Sequence, residues 1–180
     1  MFTDEGWSAM PETPEIFTDV AVATPTSTPR PVRARAPRTV TLTREQSIKL
    51  LARNHVGRLA YTFRDAVDIV PINYVCADGW IYARTAPGQK VAKLRHHRWV
   101  AFEVDELYGS FDWSSVVVHG ALYLLSPQGT DTDAWEAAVA AIQQRFPDAF
   151  TTRDPVPQRT IVFRIHVDEV SGRRMTPPTR

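Results

Sequence analysis

Three strand-like runs follow one another between residues 58 and 85 with almost no chain between them, and this succession limits the possible folds more than any other feature. The runs are RLAYTF, VDIVPINYVC and WIYART, each rich in β-branched or aromatic residues. Three residues join the first two runs, and an Asp78-Gly79 pair, which favours a tight hairpin, joins the last two. A parallel connection needs a crossover of about a dozen residues or more. The sequence therefore predicts antiparallel strands.

The remaining chain adds three strand-like runs and three helical segments. The further runs are WVAFEVDE, SSVVVHGALYLL and RTIVFRIHVDEV. Helices are predicted over residues 44–55, directly after the Pro-Gly turn at 87–88, and over residues 133–146, where apolar residues recur at helical spacing. Six short, mostly consecutive strands with flanking helices predict a mainly β, α+β fold, a six-stranded antiparallel split β-barrel.

The first helix carries signals at both of its ends. Thr43 and Gln46 have the spacing of a capping box, in which each side chain binds a free backbone amide of the first turn. Gly57 follows the apolar positions at the place where a left-handed residue would end the helix.

Composition describes an ordinary soluble globular protein with 43% hydrophobic and 23% charged residues. The single cysteine, Cys76, cannot form an internal disulfide, which fits a reducing cytoplasm. No apolar run approaches the roughly 18 residues of a membrane span. The formal net charge of +1 predicts no general attraction to nucleic acid or anionic membrane. We therefore expect a cytoplasmic protein without a membrane partner.

The first 38 residues differ from the rest of the chain. Six of the 14 prolines lie there, residues 1–20 hold five acids and no Lys or Arg, and residues 30–38 hold four arginines. With few large aliphatic residues, this segment cannot easily offset the entropy of ordering. The sequence predicts a disordered tail over residues 1–38 and one domain over residues 39–180. The arginine cluster could contact RNA, DNA or an acidic protein, but its electrostatic footprint is small, so nucleic acid is not the expected partner.

The segment GWIYARTAPGQKVAKL, residues 79–94, is the best candidate for a site, because metal-ligand spacings and glycine-rich nucleotide motifs are lacking. Arg84 and Lys90 offer charged donors, Thr85 a hydroxyl, and Gly88-Gln89 the free amides of a helix start. Such a set suits a phosphate. The alternative is that Arg84 and Lys90 are only surface charges of a turn, and the spacing alone does not decide between the two.

Five motifs in order resemble the pyridoxamine 5'-phosphate oxidase-like flavoproteins of split-barrel fold, in the branch that includes nitroimidazole-resistance proteins. They are RLAY, VPINY, DGWIYARTAPGQKVAKL, VAFEVDE and SVVVHG. The resemblance covers about residues 42–174. It implies FMN bound between the subunits of a homodimer, and hydride transfer through the flavin N5 to or from a small organic substrate.

The resemblance also implies which residues bind FMN. The phosphate would be held by Arg84, Thr85, Gln89 and Lys90, with Lys90 the most direct match. The edge of the isoalloxazine ring would lie along a strand backbone at Val70, Pro71, Ile72 and Asn73. Trp113, Ser114 and Ser115 would lie beside the flavin.

Departures from the family pattern leave alternatives. Asp112 stands where glycine is usual, and an extra serine shifts Trp113 by one residue, which a β-bulge could absorb. The ending SGRRMTPPTR lacks the terminal motif of a genuine pyridoxamine phosphate oxidase, so that activity is not expected. The same barrel could instead bind a deazaflavin or haem, with Arg95 and Arg98 along a deazaflavin tail, or it could bind flavin without catalysis. The catalytic residues are not identifiable from the sequence.

Overall fold

The computed structural model describes residues 36–64 and 66–178. These residues form eight strands and three helices. The strands are β1 Arg38–Leu42, β2 Val56–Phe63, β3 Ala66–Ala77, β4 Trp80–Thr85, β5 Trp99–Gly109, β6 Asp112–Leu125, β7 Ile161–His166 and β8 Glu169–Thr176. The helices are α1 Arg44–Arg53, α2 Gln89–His96 and α3 Thr132–Arg145. The predicted disordered tail lies almost wholly outside the described residues, so it stays a prediction.

Six of these strands close into a ring in the order β6-β5-β2-β3-β4-β7, and β7 pairs back onto β6. Every neighbouring pair is antiparallel. The ring contains the six strand-like runs of the sequence, which confirms the prediction of a mainly β, six-stranded antiparallel split barrel. The three helices flank it.

Two strands lie outside the ring, and the sequence analysis missed both. β8 pairs with the first half of β6, and β1 pairs with β8. The prediction that RTIVFRIHVDEV is one strand is wrong, since β7 ends at His166 and β8 begins at Glu169 on a different part of β6. A two-residue alternation does not reveal a change of partner strand. Arg38, the last residue of the predicted tail, is the first residue of β1 and pairs with Thr176.

The start of α1 confirms the capping box, but its end corrects a prediction. The Gln46 amide donates to Thr43 Oγ1 at 3.2 Å, and the Thr43 amide donates to Gln46 Oε1 at 2.8 Å. The predicted role of Gly57 is wrong, because the helix ends at Arg53 and Gly57 lies within β2. A Cβ atom at Gly57 would lie 2.3 Å from the Phe102 ring, so the glycine is needed for close packing.

The hairpin between β3 and β4 is the predicted one. Asp78 has a φ of 50° and Gly79 a φ of 79°, as two-residue hairpin turns with both central residues at positive φ require. The turn sets Tyr74 opposite Ala83 and so fixes the register of the two strands.

The main core fills the barrel, and α1 closes one of its ends. Tyr74 is fully buried, its hydroxyl donates to the Leu51 carbonyl at 2.7 Å, and its ring meets Phe102 edge-on with centroids 4.9 Å apart. A smaller core lies outside the ring, where Ala138 and Ile142 of α3 pack against β4 and β7. That contact confirms α3 as the amphipathic helix of the sequence prediction. Among the residues described, no helix is long and apolar enough to cross a membrane.

Candidate functional site

β3 changes its partner strand at the predicted site. Up to Asn73 it pairs with β2, and from Tyr74 onward it pairs with β4. Within residues 36–64 and 66–178, no strand pairs with the other edge of β3 between Ala66 and Asn73. Alternate backbone N–H and C=O groups of residues 70–73 therefore point away from β2 toward an edge without a partner strand. A flat ligand with polar atoms on its rim could pair with this edge.

The side chains of this edge alternate between the core and the outer surface. Ile72 points into the core with 5% of its surface exposed, and Val70 is partly buried beside it. Pro71 and Asn73 point outward and are exposed. Pro71 has no backbone N–H and offers only its carbonyl to a ligand.

The segment after β4 forms a helix start without a side-chain cap. Gly88 has a φ of 157°, which residues with a side chain rarely adopt, and α2 begins at Gln89. The N-cap residue Gly88 has no side chain, and among the residues described no side-chain hydrogen bond caps the start of α2. First-turn amides without a cap, at the positive end of the helix dipole, favour an anion.

Lys90, in this first turn, has another cation beside it. The pKa of Lys90 is lower than its ordinary value, mainly because the side chain is partly buried and secondly because the Arg159 guanidinium is nearby. Among the described residues, no carboxylate oxygen lies within 4 Å of the Lys90 or Arg159 side chain. Arg159 Nη1 instead donates to Asn73 Oδ1 at 3.1 Å. Two neighbouring cations without a counter-charge repel each other, and an anion bound between them would remove that repulsion.

Sequence analysis did not identify Arg159. It lies just before β7, whose first residue, Ile161, pairs with Thr85 at the end of β4. Only this long-range pairing brings Arg159 to the start of α2. The one sequence signal for Arg159 as a site residue is an arginine just before the last ring strand. That signal points to the start of α2 only once the pairing of β4 with β7 is known.

Arg84 is engaged in a buried ion pair. Its guanidinium donates to both carboxylate oxygens of Asp154, with Nη2 2.8 Å from Oδ1, and it lies 4.7 Å from the centroid of the Phe150 ring. Asp154 also accepts the amides of Phe150 and Val156 at 2.8 and 2.9 Å. Hydrogen bonds from Arg84 and these amides hold the pKa of Asp154 well below its usual range. Arg84 therefore anchors the loop over residues 150–156 to β4.

Thr85 and Arg84 point to opposite faces of β4. Thr85 faces the barrel interior with 5% of its surface exposed, whereas Arg84 faces the side covered by α3 and the following loop. Arg84 pairs with Asp154, whereas Lys90 lies near Arg159. Contact of Arg84, Thr85 or Gln89 with a phosphate stays a prediction.

Trp113, Ser114 and Ser115 lie on the far side of the ring from β3. They belong to β6, and two strands, β5 and β2, lie between β6 and β3. The separation of β6 from β3 around the ring is therefore about 14 Å, at roughly 4.8 Å per strand. The register irregularity at this point lies in β5, between Leu107 and Gly109. No bulge in β6 therefore absorbs the shift of Trp113. Ser114 points into the core with 2% exposure, while Trp113 and Ser115 lie on the outer face.

Part of the outer surface of β3, β2, β5 and β6 is apolar and is here called the open sheet face; it lies beside Arg58, which pairs with Glu103 and Asp105 on the same surface. Val67, Ile69 and Trp99 on it are 65%, 67% and 68% exposed. Near its centre Ala60 lies between Ile69 and Ala101 in neighbouring strands. Large exposed apolar surfaces of this kind are typical of interaction sites. The open sheet face is defined by Ala60, Val67, Ile69, Trp99, Ala101 and Val117.

Comparisons with known proteins agree with the motifs. The family profile described as pyridoxamine 5'-phosphate oxidase matches residues 43–174. An uncharacterised protein of Rhizobium meliloti (strain 1021) is 30% identical over 142 residues, which is 73% of this chain and 92% of the relative.

Solved structures give the same result. An FAD-binding protein from Mesorhizobium loti superposes with a TM-score of 0.63 and 28% identity, over 77% of this chain and 98% of that one. A candidate 5-nitroimidazole antibiotic resistance protein from Bacteroides thetaiotaomicron shares the fold, with a TM-score of 0.60 and 17% identity over 79% of this chain and 90% of that one. This chain belongs to the pyridoxamine 5'-phosphate oxidase-like family.

Proposed function

We propose that this protein binds a flavin nucleotide, with FMN as the minimal ligand, and acts as a flavin-dependent oxidoreductase on a small organic substrate. The observation that carries the proposal is the uncompensated pair Lys90 and Arg159 at the uncapped start of α2, beside the unpaired edge of β3. A flavin nucleotide has a phosphate at one end and a flat ring with polar edge atoms at the other. The FAD-binding protein of Mesorhizobium loti, at 28% identity, supports a flavin as the ligand.

Each end of the ligand has residues suited to it. Lys90, Arg159 and the amides near Gln89 would bind the phosphate, with charge-assisted hydrogen bonds stronger than neutral ones. The free N–H and C=O groups of residues 70–73 would orient the ring. When bound, the flavin would supply hydride transfer through its N5 atom, and the chain would supply position and electrostatics.

We further propose a homodimer formed through the open sheet face. Within one protomer Trp113 lies across the ring from β3, so it could reach a flavin on β3 only from a second copy. The small side chains of Ala60 and Ala101 would let two sheets approach closely, and the exposed Ile69 and Trp99 would become buried. Burying a large aliphatic or aromatic side chain contributes about 1.5–3 kcal/mol.

An absorbance spectrum and a titration test the cofactor. The purified protein should show the two flavin bands or gain them on adding FMN, whereas a Soret band would indicate haem. Lys90→Ala should weaken FMN binding by about 1–3 kcal/mol. Lys49→Ala, on an exposed lysine of α1 that pairs with Glu45, is the matched control and should leave the affinity unchanged. A colourless protein with no affinity for FMN would contradict the proposal, and titration with a deazaflavin would then test that alternative.

Mass measurement in solution tests the dimer. Ile69→Asp should convert a dimer into a monomer and weaken FMN binding at the same time. Tyr123→Ser changes an exposed aromatic residue outside the open sheet face and should leave the dimer intact. A wild-type protein that is monomeric with bound FMN would overturn the dimer and leave flavin binding standing.

Reoxidation of the reduced, flavin-loaded protein tests the oxidoreductase role. Rates with quinone and nitroaromatic acceptors should exceed the rate with dioxygen alone. Equal rates for all acceptors would favour a protein that binds flavin without catalysis.

A further inference from the structure

A pocket of about 290 Å³ lies where the end of α2 meets the second half of β6 and the start of α3. Arg95 in the last turn of α2, Arg98 just before β5, and Arg164 of β7 line it, and we call it the arginine pocket. The Leu122 amide donates to the Arg98 carbonyl at 2.8 Å and so joins the end of α2 to β6. In the ring, β4 lies between β7 and β3. Among the described residues that line the arginine pocket, none belongs to the proposed flavin site.

The arginine pocket carries positive charge that the fold does not neutralise. Within the described part of the chain, no carboxylate oxygen lies within 4 Å of the Arg95, Arg98 or Arg164 side chain. One acid, Asp131, also lines the pocket, so its three arginines leave two positive charges in excess. Asp131 is the N-cap residue of α3, where the positive end of the helix dipole partly offsets its charge.

Aromatic rings, and not an acid, hold Arg164 in place. Its guanidinium carbon lies 3.9 Å from the centroid of the Trp80 ring and 5.9 Å from that of Tyr123. Its Nε atom is buried and has no hydrogen-bond partner among the described residues. Aromatic rings attract a cation, but they do not supply the hydrogen bonds that a carboxylate or phosphate gives a guanidinium. Arg164 is therefore ordered and uncompensated, so little entropy would be lost when it binds an anion.

The size and charge of the arginine pocket indicate the class of ligand. Guanidinium groups match phosphate oxygens with paired hydrogen bonds. A phosphate monoester carries a charge of about −1.5 to −2 at pH 7, close to the excess charge of the pocket. The volume lies just below the range of about 300–1,000 Å³ that is usual for small-molecule sites, which favours a small ligand. We propose that the arginine pocket binds the phosphate group of a small molecule and is a second anion site, independent of the flavin site.

Titration calorimetry with inorganic phosphate and with phenyl phosphate tests the proposal, in the wild type and in Arg159→Glu, which disables the proposed flavin phosphate site. Saturable phosphate binding should persist in Arg159→Glu. In that background Arg98→Ala, at an exposed side chain, should weaken phosphate binding about tenfold. Arg164→Lys keeps the charge but loses the planar donor group, and it should weaken binding about fivefold. Arg153→Ala is the control, because Arg153 is 82% exposed and pairs with Asp148, and it should leave the affinity unchanged.

The two ligands distinguish the possible sources of the phosphate. Tighter binding of phenyl phosphate would support an organic phosphate, with Tyr123 of the pocket beside its ring, and equal affinities would support inorganic phosphate.

Three results would overturn the proposal. The first is the absence of saturable phosphate binding in Arg159→Glu, and the second is an equal loss of affinity in Arg98→Ala and Arg153→Ala. The third is tighter binding of a tetraglutamate peptide than of phosphate, which would favour the carboxylate tail of a deazaflavin at Arg95 and Arg98. The titration with FMN is separate, so failure of the arginine pocket would leave the proposed flavin site standing.

Discussion

Two charged pairs lie near the end of β4, and they differ in whether the cation has a counter-charge. Arg84 is 11% exposed and donates to both oxygens of Asp154, which is 2% exposed. For Lys90, six residues later, Arg159 is the one charged neighbour within the described part of the chain that shifts its pKa. The first pair is complete within the fold and stabilises it. The second is incomplete and becomes favourable only with an anion. The missing counter-charge is what leads us to propose Lys90 and Arg159, and not Arg84, as the ligand-binding cations.

The largest effect on stability is expected for Asp154→Asn. The change leaves the buried Arg84 without a negative partner, and removing one partner of a buried pair is strongly destabilising. We expect the melting temperature to fall by roughly 8 °C in calorimetry. Asp148→Asn is the control, because Asp148 forms an exposed pair with Arg153, and it should change the melting temperature by about 1 °C.

The pH dependence of this effect has a definite sign. The pKa of Asp154 is lower in the folded protein than its ordinary value, so the stabilisation is complete above the unfolded pKa of about 3.9. It is lost as the pH falls toward the folded value. The difference between wild type and Asp154→Asn should therefore shrink below about pH 4. A difference that stays constant down to acid pH would show that the ion pair does not stabilise the fold.

Arg159→Glu would make the second pair resemble the first. A glutamate beside Lys90 supplies the missing counter-charge, so the anion site is neutralised. We expect FMN affinity to fall by about 2 kcal/mol, roughly 30-fold, because one donor is lost and a repulsive charge is added. Arg153→Glu reverses the charge of an arginine that is 82% exposed and should have little effect on FMN binding. Unchanged affinity in Arg159→Glu would place the phosphate elsewhere.

The smallest effect is expected for Lys90→Met in the ligand-free protein. Burial and Arg159 lower the pKa of Lys90, so its charged form destabilises the fold at neutral pH. Removing the charge should raise the melting temperature by about 2 °C at pH 7. This gain should decrease as the pH rises through the folded pKa, since wild-type Lys90 then loses its proton. A variant less stable than wild type at pH 7 would show that Lys90 has a structural partner.

Features that depend on neighbouring residues in the sequence were predicted correctly. The capping box of Thr43 and Gln46 and the Asp78-Gly79 hairpin are both determined within four residues. The six ring strands follow from alternation of apolar side chains, which requires no knowledge of the partner strand. The family motifs then identified the strand edge and the helix start as a candidate site, although they did not test which side chains contact a ligand.

Features that depend on distant contacts were missed or misread. Gly57 was interpreted as a helix end, whereas it is needed because Phe102, 45 residues away, packs against it. β8 follows β7 after only two residues, and its new pairing with β6 reveals that it is a second strand. The ion pair of Arg84 with Asp154 and the proximity of Arg159 to Lys90 join residues about 70 apart in the chain.

The sequence by itself determined the six ring strands, the three helices and the antiparallel barrel, and it predicted a phosphate-binding segment over residues 84–90. The tertiary structure decided which cation in that segment is neutralised and which is free. The physical reason is the range of the interactions. Turn geometry and amphipathic periodicity act over a few residues, whereas charge compensation depends on which carboxylates the fold brings within a few ångströms.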